Sequence, residues 1–91
     1  SRGLGDVYKR QLLYFAKIRE ALGKGEEIIS LPSDIITVRD LIKFLIESDS
    51  IYKNAFEDKN FFTACDEEFV EMDFIIENTK EIAIFPPVTG G

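Results

Sequence analysis

The order of hydrophobic patterns along this 91-residue chain predicts an α+β fold, a mixed sheet of about four to five strands with one main helix packed across it. Three observations carry the prediction. Short apolar or alternating runs, LLYFAKI, EIISL, FFTAC and EIAIF, have the length and the β-branched or aromatic content of strands. One segment between them, TVRDLIKFLIESDS, switches to helical period. The length allows a single core, burying roughly two thirds of the surface the unfolded chain exposes.

The elements follow in order. Leu12 to Ile18 reads as a mostly buried strand, and REALGKGEE turns the chain, with Gly23 and Gly25 supplying permissive backbone positions. Glu27 to Leu31 alternates as a returning strand that Pro32 ends, so a hairpin is the simplest connection. In the helix, Val38, Leu41, Ile42 and Leu45 recur at i, i+3, i+4 and i+7, along one face. Thr37 caps it through its hydroxyl, and Asp40, three residues on, reaches back to the cap N–H. After Ser48 to Ser50 the segment IYKNAF adds a short helical turn before the polar turn EDKN. Phe61 to Cys65, a tight turn at DEE, and EFVEM read as a hairpin; the loop DFIIENTK then leads to the strand Glu81 to Phe85. Tyr14, Phe15, Phe44, Phe61 and Phe62 are the aromatic core candidates.

Composition excludes several functions. The longest apolar runs fall well short of the roughly 18 residues of a membrane span, and the N-terminus lacks the apolar stretch of a signal peptide, so a cytoplasmic protein is expected. With no His and a single Cys, the chain has no ordinary zinc or iron–sulfur ligand set and no Ser/His or Cys/His pair, so it is not expected to catalyse a reaction alone. Cys65, inside FFTAC, reads as a small core hydrophobe rather than a persulfide carrier. The acidic clusters DEE and EDKN lack the glycine and spacing of a calcium loop. Eleven basic against seventeen acidic residues give a net charge of −6, which argues against nucleic acid and for a basic partner, with acidity for solubility alone as the alternative.

Residues 1–11, SRGLGDVYKRQ, differ in character: Gly-rich, basic and without period. DVYKRQ is also what GAT GTG TAT AAG AGA CAG encodes, which resembles a transposase end sequence used to prepare DNA libraries. Residues 1–11 are therefore expected to be a non-native N-terminal scar, with a β-sheet domain over 12–85 and an extended tail over 86–91. Without those eleven residues, three of them basic and one acidic, the chain carries −8.

The tail, FPPVTGG, has its own logic. Pro86 and Pro87 lack N–H donors and hold φ near −65°, so the sheet stops and the chain leaves in an extended form. Six residues from Pro86 to Gly91 reach at most about 20 Å, enough to enter a partner's cleft. Gly90 and Gly91 lack Cβ atoms, so a narrow channel can close on them, and the Gly91 carboxylate, an anion at neutral pH, can attack an activated phosphate. Val88 suits an apolar pocket and Thr89 a hydrogen bond to the channel wall. Phe85 suits a partner-facing apolar patch, with an ordinary sheet residue as the alternative. A frayed pair of glycines is the plainer reading of GG, and the prolines behind it argue against that.

LLYFAKIREALG, TVRDLIKFL and above all FPPVTGG resemble the small subunits of molybdopterin synthase, ubiquitin-like β-grasp sulfur carriers, in order over residues 12–91. Only the first residues depart from that pattern. The resemblance implies a β-grasp fold and a Gly91 carboxylate that a partner adenylating enzyme activates with ATP. It also implies a sulfur donor protein that converts the acyl-adenylate to a thiocarboxylate, and a large subunit whose active site the tail enters to deliver sulfur to a cyclic pyranopterin phosphate. No cofactor bound by the chain itself, no metal, no nucleic acid and no membrane are implied. Carriers for thiazole or thiolated nucleoside synthesis, ubiquitin-like modifiers joined to lysines, and a non-covalent binding domain with an incidental GG are the alternatives.

Overall fold

The computed structural model describes residues 8–56 and 61–87. The elements are β1 (Tyr8–Tyr14), α1 (Ala16–Leu22), β2 (Glu26–Leu31), α2 (Val38–Ser48), α3 (Ser50–Ala55), β3 (Phe62–Cys65), β4 (Glu68–Val70) and β5 (Glu81–Phe85). The five strands make one sheet in the order β2-β1-β5-β3-β4. The first and last strands lie side by side at its centre, parallel, and every other pairing is antiparallel. This is the mixed sheet of the β-grasp, with the helices across one face.

Register decides which residues are buried. Leu12 lies opposite Ile82 and Ile82 opposite Cys65; one row on, Tyr14 lies opposite Ile84 and Ile84 opposite Thr63. These residues face the helices and are buried, together with Val38, Leu41, Ile42 and Leu45 on α2. The helical spacing of those four is thus the core stripe of α2. Its capping box is complete: the Thr37 hydroxyl accepts from the Asp40 N–H at 3.2 Å, and the Asp40 carboxylate accepts from Thr37 N–H at 3.1 Å. These hydrogen bonds, led by the one from Thr37, also hold the Asp40 carboxyl below its ordinary pKa.

Three expectations change. The segment after β1 is not a simple turn, because Ile18 and Leu22, four residues apart, bury one side of a seven-residue helix that Gly23 ends in the left-handed region at φ 76°. The first strand starts at Tyr8 rather than Leu12, and residues 8–11 pair with Leu31 to Ile28. Backbone pairing is indifferent to the side chains a strand carries, so resequencing of the natural gene is what decides the origin of residues 1–11. Phe15 and Phe62 lie on the surface rather than in the core, and Phe44 and Phe61 only line its edge. Cys65 is buried, and burial pushes its thiol pKa up, leaving it unreactive. The EDKN turn falls outside the described residues.

One partly buried polar cluster ties three elements together. Both Tyr14 and Tyr52 donate to the same Glu27 carboxylate oxygen at 2.6 Å, while Lys24 donates to the other at 2.8 Å and to the Tyr52 hydroxyl at 2.9 Å. β1, β2 and α3 are thereby joined through one carboxylate. Burial alone would raise the Glu27 pKa, but the three donors outweigh it and hold the group below its ordinary value. Burial and then the Glu27 carboxylate push the Tyr14 and Tyr52 hydroxyls up.

Two predictions follow from these local devices. Thr37→Ala removes the cap and lowers unfolding free energy by about 1 kcal/mol in urea titrations. Because the folded-state pKa of Glu27 is depressed, its contribution is present above 4.5, the ordinary glutamate value, and is lost as pH falls through the lower folded value. Thermal melts taken downward from neutral pH should show the wild type losing stability in acid more steeply than Glu27→Gln; equal slopes would remove the network from this role.

Candidate functional site: the aromatic face at the root of the tail

The sheet face away from the helices presents a second set of side chains. Leu13, Ala83, Ala64 and Phe69 lie in one row across β1, β5, β3 and β4, and Phe85 lies opposite Phe62 in the next. Small residues at Ala83 and Ala64 leave room above the strands for large rings at the margin. Phe69 is 73% exposed, Phe62 52% and Phe15 40%. Solvent-facing phenylalanines in one group are not what a solitary domain needs, since contiguous apolar surface marks a contact site.

The rings form a continuous chain. Phe15 and Phe85 stack with centroids 4.7 Å apart and planes within 7°; Phe85 meets Phe69 at 5.7 Å, and Phe69 meets Phe62 edge-on at 6.4 Å. Phe85 is thus half-buried between Phe15 and Phe69. Backbone geometry puts Phe15 there: it is extended, donates its N–H to Ile84 O at 3.2 Å, and is followed by Ala16 at φ 52°. A non-glycine residue in the left-handed region costs about 1–2 kcal/mol. That kink turns the chain from β1 into α1 while leaving the Phe15 ring on the open face.

Pro86 and Pro87 follow immediately, half-buried and exposed respectively, and the pairing of Phe62 with Phe85 is the last on that strand. The tail therefore departs from the aromatic face itself. Of the residues singled out in the sequence, Phe85, Pro86 and Pro87 come together here; Val88, Thr89, Gly90 and Gly91 lie outside the described residues. Sequence reasoning missed Phe15, Phe62 and Phe69 as members of this face. The signal that would have found them is the β3–β5 register, which aligns Phe62 with Phe85 and is not local in sequence. Among the described residues no group of His, Cys, Asp and Glu could hold a metal ion, and no helix is long and apolar enough to cross a membrane.

Because Phe69 stands mostly in solvent, Phe69→Ser should change unfolding free energy by less than about 0.5 kcal/mol. A partner that covers this face loses a central aromatic anchor, so calorimetric titration with it should show at least about a tenfold weaker Kd. A large loss of stability instead would make Phe69 a core residue.

Residues 12–91 match the ThiS family. The molybdopterin synthase sulfur carrier subunit of Escherichia coli (strain K12) is 31% identical over 81 residues, 89% of this chain and 98% of that protein. The protein of the same name from Dictyostelium discoideum is 35% identical over 83 residues, 89% of this chain and 94% of its own. Among solved structures, a protein described as molybdopterin converting factor subunit 1 from Pyrococcus furiosus is similar with a TM-score of 0.68 and 28% identity, covering 88% of this chain and 98% of that one. The small archaeal modifier protein 1 of Methanosarcina acetivorans, at TM-score 0.69 and 21% identity, covers 96% of this chain and 100% of its own and shares the fold. From its first core strand to its diglycine the chain belongs to the ThiS family, related along nearly its whole length to molybdopterin synthase sulfur carrier subunits.

Proposed function

We propose that this chain is the sulfur carrier subunit of a molybdopterin synthase, with Gly91 as its reactive group. The single observation that carries the reading is the FPPVTGG ending, which leaves β5 at a face of four linked phenylalanines in a chain whose relatives bear that name. Division of labour explains the combination. The domain keeps its aliphatic core under the helices, offers Phe15, Phe62, Phe69 and Phe85 to the large subunit, and holds out Pro86 and Pro87 as the stiff start of an arm. Val88 and Thr89 set the arm's register in the partner's channel, and Gly90 lets that channel close.

The chemistry is carried by partners. An adenylating enzyme uses ATP: the Gly91 carboxylate oxygen attacks the α-phosphorus, pyrophosphate leaves, and an acyl-adenylate forms. The outer sulfur of a persulfide on a donor protein then attacks the carbonyl carbon and AMP departs; a second thiol cleaves the resulting acyl disulfide, releasing the thiocarboxylate and carrying the donor sulfur off as a disulfide. In the large subunit two such sulfurs pass in turn to a cyclic pyranopterin phosphate, and each tail returns to the carboxylate. The carrier supplies no acid or base to these steps, which suits a chain with no His and a buried, high-pKa thiol. A cytoplasmic setting fits partners that use ATP and thiols.

The test is direct. Incubated with its adenylating enzyme, ATP and a sulfur donor, the full chain should gain the mass of one oxygen-to-sulfur exchange at Gly91, and the product should convert the pterin precursor when the large subunit is added. Deleting Gly91 should abolish both results. Attachment to lysines of other proteins would indicate a modifier, and a thiocarboxylate that serves thiazole or nucleoside thiolation but not the pterin would assign the alternative carrier role.

A further inference from the structure

The tail and the aromatic face occupy one end of the sheet, and the opposite end carries a feature that neither uses. From Asp66 to Thr79 the chain has six carboxylates and no Lys or Arg, as many negative charges as the whole chain's net −6. The stretch 16–25 beside the tail root instead holds Lys17, Arg19 and Lys24 against Glu20 alone. Asp66, Glu67 and Glu68 at the β3–β4 turn lie at the Glu81 end of the sheet, away from the tail root, whereas Glu71 follows Val70, which pairs with Thr63 toward the tail.

Within the acidic stretch lies an open cavity of about 570 Å³, bordered by Asp66, Glu68 and Glu77, with Phe74 and Ile75 as its large apolar members and no basic side chain in its lining. Ile75 is 57% exposed. The segment is fixed in place rather than loosely draped. Val38 N–H donates to Phe74 O at 3.0 Å, Ile75 bridges Thr37, and Ile76 N–H donates to Ile36 O at 2.9 Å. From behind, the buried Arg10 guanidinium donates to the carbonyls of Ile76 and Glu77 at 3.2 and 3.0 Å. The Asp66 carboxylate accepts from the Lys80 and Glu81 amides at 3.2 and 3.0 Å, holding the β3–β4 turn against the start of β5.

We propose that this cavity docks a Lys or Arg side chain of a partner protein, its aliphatic stem along Phe74 and Ile75 and its charged head among Asp66, Glu68 and Glu77. Long basic side chains combine those two demands, an apolar body and a cationic tip. Charge selects the occupant: nucleic acid is repelled, and the same face of a second copy would set its own Asp66, Glu68 and Glu77 against these three. The site is independent of the tail's chemistry. Glu81 opens β5 at this end and Phe85 closes it at the other, four strand steps or about 13 Å away. One protein can hold the carrier here while another works on the tail.

The experiment places a photo-crosslinking p-benzoylphenylalanine at Ile75 or, as a control, at Phe69 of the full chain in its native host, then purifies the protein captured through position 75. Calorimetry follows with wild type, Glu68→Lys/Glu77→Lys, Ile75→Ser, Phe69→Ser and a chain lacking Gly90 and Gly91. All the substituted side chains are exposed, and circular dichroism checks that each variant folds. The expected result is a Kd raised at least about tenfold by the double reversal and by Ile75→Ser, an affinity that falls with added salt, and no change in the Phe69→Ser and truncated chains. No crosslink at position 75, a crosslink to a second copy, or an affinity indifferent to the charge reversal would overturn the proposal. Loss of binding only in Phe69→Ser or the truncated chain would do the same, without touching the sulfur-carrier reading.

Discussion

The parallel pairing of β1 with β5 is the constraint on which the rest of this protein depends. Leu12 against Ile82 and Tyr14 against Ile84 form the middle of the core, and the same ladder sets the far end of the chain beside its first strand. Parallel neighbours cannot be joined by a tight turn, so everything between them, helices and hairpins alike, is one long crossover that must cover the face the pair leaves apolar. An almost wholly apolar β5 suits this central position, since a strand flanked on both sides finds little use for charge.

The same pairing shapes the end of the sheet from which the tail leaves. Where β5 stops, the alternation of the strand has already turned Phe85 away from the helices, and the neighbouring strands deliver Phe15 and Phe62 to either side of it. Left-handed backbone is accepted at Ala16, where it separates a strand from a helix while keeping one ring outside. The prolines, with no N–H to donate, then end the hydrogen-bonded strand.

Polar groups are spent sparingly and in fixed places. The Glu27 carboxylate receives two tyrosine hydroxyls and a lysine, binding the β1–β2 pair to α3. Arg10 does comparable work at the other end on two loop carbonyls. Between them the two clusters brace the ends of the sheet, so the acidic end and the aromatic end are presented by a common rigid frame.

Local chemistry was legible in the sequence wherever a neighbour a few residues away supplied the reason. The stripe and capping box of α2, the strand character of β2, β3 and β5, the burial of Cys65, and the stop at Pro86 all rest on such short-range causes. The short helix α1 escaped notice because its buried pair, Ile18 and Leu22, is too brief a pattern to announce itself. Phe15 and Phe62 were misplaced for a different reason. A phenylalanine in a strand is apolar on either face, and which face is buried depends on the register with β5, about twenty residues or more away along the chain. The gathering of four rings at the tail root, and of Asp66, Glu68 and Glu77 around one cavity, were therefore decided only when the strands paired.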